Sequence, residues 1–192
     1  MIKIKIITGS TRPGRFNNQP AQWIYGMAKA RGDMEVELLD LEQINLPFLD
    51  ESAPPLQQKY TKEHTKLWSA KIAEADGFIF VTPEYNHSVS AVLKNAVDYL
   101  AIEWNYKPLT FVSYGSLAGG SRAVEHWRGI AADLRMFDLR EQIMLPNYWE
   151  ELNDKGEYNF NERHAKGAQG MLDALIFWAE KMKQARAELI AK

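Results

Sequence analysis

The chain of 192 residues contains no cysteine. Disulfide bonds, thiolate metal sites and cysteine nucleophiles are therefore excluded, and the absence suits a reducing cytoplasm. No stretch approaches the roughly 18 apolar residues of a membrane span, and Lys3 and Lys5 interrupt the first apolar run before it resembles a signal region. We expect a cytoplasmic protein with no membrane partner.

A strong net charge is also missing, because 23 Lys and Arg face 25 Asp and Glu, for a formal charge of -2. Nothing in this balance predicts a nucleic-acid partner. The hydrophobic share of 46% and the charged share of 25% are typical of a globular protein. We expect residues 1–192 to form one domain that binds a small molecule.

Several motifs of nucleotide-binding and metal-binding proteins are absent. The chain has neither Gly-x-x-x-x-Gly-Lys-[Ser/Thr] nor Gly-x-Gly-x-x-Gly, which excludes a P-loop NTPase and a dinucleotide fingerprint. The first predicted strand ends without the acidic residues of a receiver domain, and the first turn lacks a phosphatase cysteine. The histidines are too far apart for a zinc motif, so we expect no metal. They are His64, His87, His126 and His164.

Apolar β-branched runs alternate with segments of helical period along the chain. This alternation predicts an α/β fold, a parallel sheet with helices on both faces. Five strands are predicted, at 3–8, 35–40, 77–82, 109–114 and 138–145. Helices are predicted at 18–31, 60–75, 89–103, 120–134 and 161–192. The count indicates a flavodoxin-like three-layer sandwich of strand order 2-1-3-4-5. The longer connections at 42–58 and 146–161 are either cover loops over a ligand or ordinary surface loops.

The turn after the first strand has the composition of a phosphate cradle. Residues 9–18 read Gly-Ser-Thr-Arg-Pro-Gly-Arg-Phe-Asn-Asn and lead into a predicted amphipathic helix, whose N–H groups favour anions. Arg12 and Arg15 add charge-assisted donors for a phosphate dianion. An ordinary strand-to-helix turn with solvated arginines is the alternative for this loop taken alone.

Two further turns follow strands 3 and 4, at the edge where such sheets bind ligands. The first, residues 82–90, offers the flat face of Tyr85 and the amide of Asn86, which suit the edge of a planar heterocycle. In the second, residues 113–122, three glycines allow a close approach of backbone to a ligand. Together the three turns predict a site for a mononucleotide with a large flat ring. Alone, Ser88 reads as a helix N-cap and Tyr85 as a packing residue.

These motifs resemble the NADPH-dependent FMN reductases, flavodoxin-like enzymes that include chromate, quinone and azo-dye reductases. The likeness covers roughly the first 135 residues and is specific because three loops agree. The chain departs at Arg15, where some relatives have serine, and at Ser116, where glycine is frequent. The motifs are Gly9-Ser10-Thr11-Arg12 with Asn18, Pro83-Glu84-Tyr85-Asn86-His87-Ser88 before Leu93-Lys94-Asn95-Ala96, and Ser113-Tyr114-Gly115 with Gly119-Gly120.

The resemblance implies which residues bind FMN. Those implied for the phosphate are Ser10, Arg12, Arg15, Phe16 and Asn18. Those implied for the ring are Pro83, Glu84, Tyr85, Asn86, Tyr114, Gly115, Ser116 and Gly119, with His87 bordering the pocket by position. It further implies NADPH or NADH as co-substrate, a small-molecule electron acceptor and a homodimer or homotetramer.

The implied reaction passes hydride from the nicotinamide to flavin and then electrons to a quinone, azo compound, free flavin or similar acceptor. The protein needs to position the reactants, so no catalytic acid or base is predicted. Glu84 is the candidate for such a role, but a carboxylate in a helix's first turn more often serves as a dipole partner. The alternative function is a non-enzymatic flavodoxin-type electron carrier, but carriers of that kind are strongly acidic and this chain is nearly neutral.

Overall fold

The structure is a computed structural model that describes residues 1–190 of the chain. Its centre is a five-stranded parallel sheet of order β2-β1-β3-β4-β5, which confirms the predicted flavodoxin-like order. The strands are β1 (Ile2–Thr8), β2 (Met34–Leu39), β3 (Gly77–Pro83), β4 (Pro108–Gly115) and β5 (Phe137–Pro146). Each differs from its predicted range by one or two residues in all, as is usual for strand ends.

Among residues 1–190, six α-helices connect or follow these strands. They are α1 (Asn18–Arg31), α2 (Leu41–Ile44), α3 (Glu63–Ala73), α4 (Ala91–Asp98), α5 (Ser121–Asp133) and α6 (Glu162–Ile190). Helix α1 has its predicted bounds, and α5 and α6 begin one residue late. The last two residues of the predicted range 161–192 lie outside the described residues. The predicted helix at 60–75 is shorter by three residues at its start, and α2 was not predicted.

The predicted helix at 89–103 is wrong in extent, because α4 ends at Asp98 and a separate 3₁₀ turn follows at Ile102–Trp104. The break lets the Trp104 side chain become fully buried, with its ring centroid 4.9 Å from that of Phe78. Its indole N–H donates to the Val97 carbonyl at 3.1 Å. Burial of a large aromatic side chain outweighs continuation of the helix here.

The two faces of the sheet bury separate clusters, in accordance with the alternation of side chains along a strand. On β3, Phe78 and Phe80 face the side covered by α3, α4 and α5, whereas Ile79 and Val81 face the side covered by α1 and α6. Helices on both faces leave the carboxyl ends of the strands as the place for a ligand. Within residues 1–190 no helix is long and apolar enough to cross a membrane.

Candidate functional site

The first turn, between β1 and α1, is held close to the end of β3. The Gly9 N–H donates to the Val81 carbonyl at 2.7 Å, and a Cβ on Gly9 would lie 2.7 Å from that same oxygen. Ser90 reaches across to donate to the Gly9 carbonyl at 2.5 Å. The first turn of α1 contains no acidic residue, so its N–H groups are not neutralised by a carboxylate of their own helix.

The second turn, after β3, is a two-residue hairpin. Tyr85 and Ser88 exchange backbone hydrogen bonds of 3.0 and 3.1 Å, and Asn86 and His87 between them have φ values of 48° and 70°. Positive φ at both central positions is the geometry of a type I′ turn, which asparagine tolerates better than most residues. Both side chains are exposed. The expectation that Ser88 caps the next helix is wrong, because α4 starts at Ala91 with Ser90 at the cap position.

The third turn, after β4, folds back tightly on its own strand. Gly120 has φ 85°, and a Cβ there would lie 2.8 Å from Ser113 Cβ and from the Tyr114 nitrogen. Ser113 donates its hydroxyl to the Gly119 carbonyl at 2.8 Å. The side chain of Ser116 is exposed, and its backbone carbonyl accepts from the Gly119 N–H at 2.8 Å and the Asn147 N–H at 3.2 Å. Gly119 and Ser116 therefore sit on the β5 side of the turn.

Glu84 joins the second turn to the third. Its carboxylate accepts from the Arg122 backbone N–H at 3.2 Å and from the Arg122 guanidinium at 2.9 Å. Its own N–H donates to the Tyr114 carbonyl at 3.0 Å. Glu84 was expected in the first turn of the helix that follows it, but α4 begins seven residues later, at Ala91. The Glu84 carboxylate instead accepts a hydrogen bond at the N-terminus of α5.

Four predicted residues from the three turns, Ser10, Phe16, Tyr85 and Tyr114, meet at one edge of the sheet. Gly119 lines a different cavity, on the β5 side. Ser10 Oγ and Tyr85 Oη are 2.8 Å apart, and the Phe16 ring packs edge-on against Tyr114 with centroids 5.2 Å apart. Burial raises the pKa of the Tyr114 hydroxyl, which faces the side chains of Ser10 and Asn17 and stays protonated. A hydroxyl-rich and aromatic surface thus lies between the first and second turns.

Two neighbouring cavities open at this edge and share Arg12 and Tyr85. The larger, of about 510 Å³, runs from Ser10 toward the 46–48 segment and the start of α4. The smaller, of about 120 Å³, is enclosed by residues 12–16 with Tyr114 and Tyr148. Tyr85 stands between them, so its ring borders both.

The two arginines of the first turn have different surroundings. The Arg15 side chain is only 4% exposed and lies 2.7 Å from Asp40 and 2.7 Å from Glu42. It also donates to Asn18 Oδ1 at 2.9 Å. Arg12 is exposed, and no carboxylate among residues 1–190 lies within 4 Å of its guanidinium. Of the two, Arg12 has the guanidinium that is free for an anion.

Sequence reasoning missed two residues of this edge. Asn17 is fully buried and donates to the Val81 carbonyl at 2.8 Å, whereas its Oδ1 has no hydrogen-bond partner among the described residues. Tyr148 stacks on Phe16 with centroids 4.1 Å apart, which places the 146–161 connection against the first turn. The sequence does not distinguish Asn17 from its neighbour Asn18. Tyr148 was missed because its contact partner, Phe16, is far from it in the sequence.

The residues present suit FMN. A buried acceptor without a partner, Asn17 Oδ1, fits a hydroxyl donor, and the exposed Arg12 guanidinium beside an acid-free helix N-terminus fits a phosphate. A model of the NADPH-dependent FMN reductases matches residues 2–150. The chain belongs to the NADPH-dependent FMN reductase family. FMN is accordingly its cofactor, and NAD(P)H its co-substrate.

Individual relatives agree with the family. An NAD(P)H-dependent FMN reductase of Schizosaccharomyces pombe is 45% identical over 136 residues, 70% of this chain and 68% of that protein. An NAD(P)H:quinone oxidoreductase of Solanum tuberosum is 33% identical over 153 residues, 73% of this chain and 74% of that protein. The fold matches FerB, a flavoenzyme NAD(P)H:(acceptor) oxidoreductase of Paracoccus denitrificans, with TM-score 0.75 and 22% identity over 95% of this chain and 99% of that one.

Membership of this family makes the protein an FMN-dependent NAD(P)H oxidoreductase and decides against the non-enzymatic electron carrier. Which side chains contact FMN stays a prediction for every residue named above. Within the described part of the chain, no group of three or more His, Cys, Asp or Glu side chains is placed to hold a metal ion.

Proposed function

We propose that the first turn binds the FMN phosphate and that the second and third turns hold the ring. The observation that carries the proposal is the 2.8 Å contact between Ser10 and Tyr85, which puts phosphate and ring candidates side by side. Arg12 supplies the charge for the phosphate, and Asn17 an acceptor for a hydroxyl of the cofactor. Bound FMN supplies the hydride-accepting ring, whereas the protein supplies position and exclusion of water.

The electron acceptor we propose is a small planar compound such as a quinone. Leu46, Pro47 and Phe48 form an apolar part of the wall of the 510 Å³ cavity. Phe48 is 81% exposed, so its ring is available to a flat apolar molecule. The potato relative is named for the same class of acceptor.

The phosphate assignment is tested by comparing FMN with riboflavin, which lacks the phosphate. We expect Arg12→Met to weaken FMN binding by about 10- to 100-fold, because it removes charge-assisted hydrogen bonds, and to leave riboflavin binding unchanged. The matched control is Arg140→Met, at an exposed position of β5, which should change neither affinity. Equal FMN affinity for Arg12→Met and wild type would reject the assignment.

The ring and acceptor assignments are tested by spectra and turnover. Asn86→Ala should alter the flavin absorption spectrum or potential more than it alters phosphate-dependent affinity. The FMN-loaded protein should oxidise NADPH or NADH steadily with a quinone, and Phe48→Ser should raise the KM for the quinone more than it lowers kcat. A KM unchanged by Phe48→Ser would remove the 46–48 segment from the acceptor site.

We further propose a homodimer. Large apolar side chains are exposed on the connection after β2 and on α3, close in sequence to the proposed acceptor wall. Light scattering should give twice the chain mass, or four times in a tetramer, and Leu67→Ser should lower it; a monomer at working concentration would reject assembly. The side chains are Leu49 at 42%, Leu56 at 71% and Leu67 at 61% exposure.

We also propose a domain organisation and a cellular location for the protein. Residues 1–192 are proposed to act as one FMN-binding domain, because residues of all three turns come from a single sheet. A cytoplasmic location is proposed from the lack of cysteine. Fractionation of cells that produce the protein would test the location, and recovery in the membrane or secreted fraction would reject it.

A further inference from the structure

The side chain of Arg15 is engaged by carboxylates that belong to another part of the fold. Its Nη2 donates to Asp40 Oδ2 at 2.7 Å, and its Nη1 lies 2.7 Å from Glu42 Oε2. Two carboxylates against one guanidinium leave a local charge of about -1. Nη1 forms no hydrogen bond with Glu42 despite this distance. The two carboxylates nevertheless offset the positive charge that a phosphate dianion would bind, so Arg15 is poorly suited to be a phosphate ligand.

Asp40 also contacts the other end of the same turn. The hydroxyl of Thr8, the last residue of β1, donates to Asp40 Oδ1 at 3.0 Å, and it accepts from the Leu41 N–H at 3.1 Å. Arg15 lies near the far end of the turn, where its N–H donates to the Arg12 carbonyl at 3.0 Å. One carboxylate therefore joins both ends of the 9–14 segment.

We infer that Arg15 is a positioning residue that closes the phosphate-binding turn through Asp40 and Thr8. This inference rests on the proposed phosphate site of the first turn. A turn whose ends are fixed loses less conformational freedom when it binds its ligand, so the clamp increases affinity without touching the phosphate. The burial of the Arg15 side chain, 4% exposed, protects the ion pair from solvent screening.

If Arg15 acts through Asp40 and Thr8, substitution of those two residues should also weaken FMN binding. A direct contact between Arg15 and the phosphate would not predict this. Asp40→Asn, Thr8→Val and Arg15→Met should each weaken FMN binding by about tenfold. The double variant Arg15→Met/Asp40→Asn should be no weaker than either single variant, because the pair acts as one unit. If Arg15 bound phosphate, Asp40→Asn would instead leave FMN affinity unchanged or raise it, since a negative charge near the dianion is removed.

Glu42→Gln is the matched control. Glu42 touches the same guanidinium but is 59% exposed, and no hydrogen bond joins its side chain to Thr8 in the described residues. It should change FMN affinity less than about twofold. A loss as large as that of Asp40→Asn would show that the charge state of Arg15 matters and not the closure of the turn, which would overturn the inference.

Riboflavin binding distinguishes an effect on the phosphate turn from a general loss of folded structure. Its affinity should stay within about twofold of wild type in all variants, because the clamp acts where the phosphate binds. Equal losses for FMN and riboflavin would overturn the inference, as would unchanged FMN affinity in Asp40→Asn and Thr8→Val. The proposed phosphate site fails separately, if wild type binds FMN no more tightly than riboflavin.

Discussion

The carboxylate of Glu84 spans the gap between the turn after β3 and the first turn of α5, where it accepts from both the backbone N–H and the guanidinium of Arg122. Its side chain is 7% exposed, so water cannot replace these partners. The two turns that are proposed to hold the flavin ring are therefore mechanically joined by one side chain.

Loss of this carboxylate should loosen both turns. We expect Glu84→Ala to lower the free energy of unfolding by about 1–2 kcal/mol, because the N–H groups at the start of α5 lose an acceptor. Urea unfolding followed by circular dichroism measures the change. The control is Glu125→Ala on the same helix, 71% exposed, which should stay within about 0.5 kcal/mol of wild type. Equal effects at the two sites would contradict the capping role of Glu84.

Gly120 is expected to tolerate no side chain. An added Cβ would lie 2.8 Å from Ser113 Cβ at a φ of 85°, so Gly120→Ala should destabilise the protein by about 2–4 kcal/mol and weaken FMN binding. The matched control is Gly129, which is exposed within α5 and has open space around it. Gly129→Ala should stabilise by about 0.5–1 kcal/mol in thermal unfolding. A Gly120→Ala variant as stable as wild type would refute the close-approach argument.

The sheet and the edge where the three turns lie were predictable, because strand positions follow from local patterns and the strand order from the alternation of strands and helices. Apolar β-branched runs mark the strands in the sequence, and the three turns follow the carboxyl ends of β1, β3 and β4. Helix α1 has its predicted bounds, and in the structure Gly32, with φ 72°, is its C-cap.

What the sequence did not reveal depends on contacts between distant residues. The partner of Arg15 is Asp40, 25 residues later, and no local pattern distinguishes a clamped arginine from a free one. Asn17 and Asn18 are equivalent in the sequence, yet one is buried beside Val81 and the other is exposed. Helix α4 stops early because Trp104 is buried in a cluster that forms only in the folded chain.

Lys107 should make stability depend on pH. Burial, with a further contribution from Arg186, lowers the pKa of its ammonium group to about 7, although it donates to the Ile72 and Ala73 carbonyls at 2.8 and 2.9 Å. Between pH 7 and the unfolded value of about 10.4, the unfolded state binds more protons, so stability rises with pH across that window. The largest possible gain is about 5 kcal/mol.

Urea unfolding at several pH values between 6.5 and 9.5 tests this dependence. We expect Lys107→Met to flatten the rise, because its side chain carries no proton, whereas Lys66→Met at an exposed position of α3 should keep the wild-type slope. A wild-type stability that falls steadily from pH 7 to 9.5 would contradict the buried ammonium as the dominant group.

Glu103 should hold the connection before α3 in place. The carboxylate is 5% exposed, and its Oε1 accepts from Gln58 at 3.2 Å, Tyr60 at 2.9 Å and Ser69 at 2.7 Å. Burial and this acceptor raise the pKa of the Tyr60 hydroxyl, which therefore donates throughout the working pH range. Lys59 is exposed between two of the tethered residues and offers trypsin a site.

We expect Glu103→Leu to speed trypsin cleavage after Lys59 by about tenfold, because the segment loses its shared acceptor and opens locally more often. Lys155 is exposed in the 146–161 connection after β5 and serves as the internal control. Its cleavage rate should not change. Mass spectrometry of early fragments measures both rates in one sample. An equal increase at both lysines would mean global unfolding and would reject the local tether, since only the segment bonded to Glu103 should open.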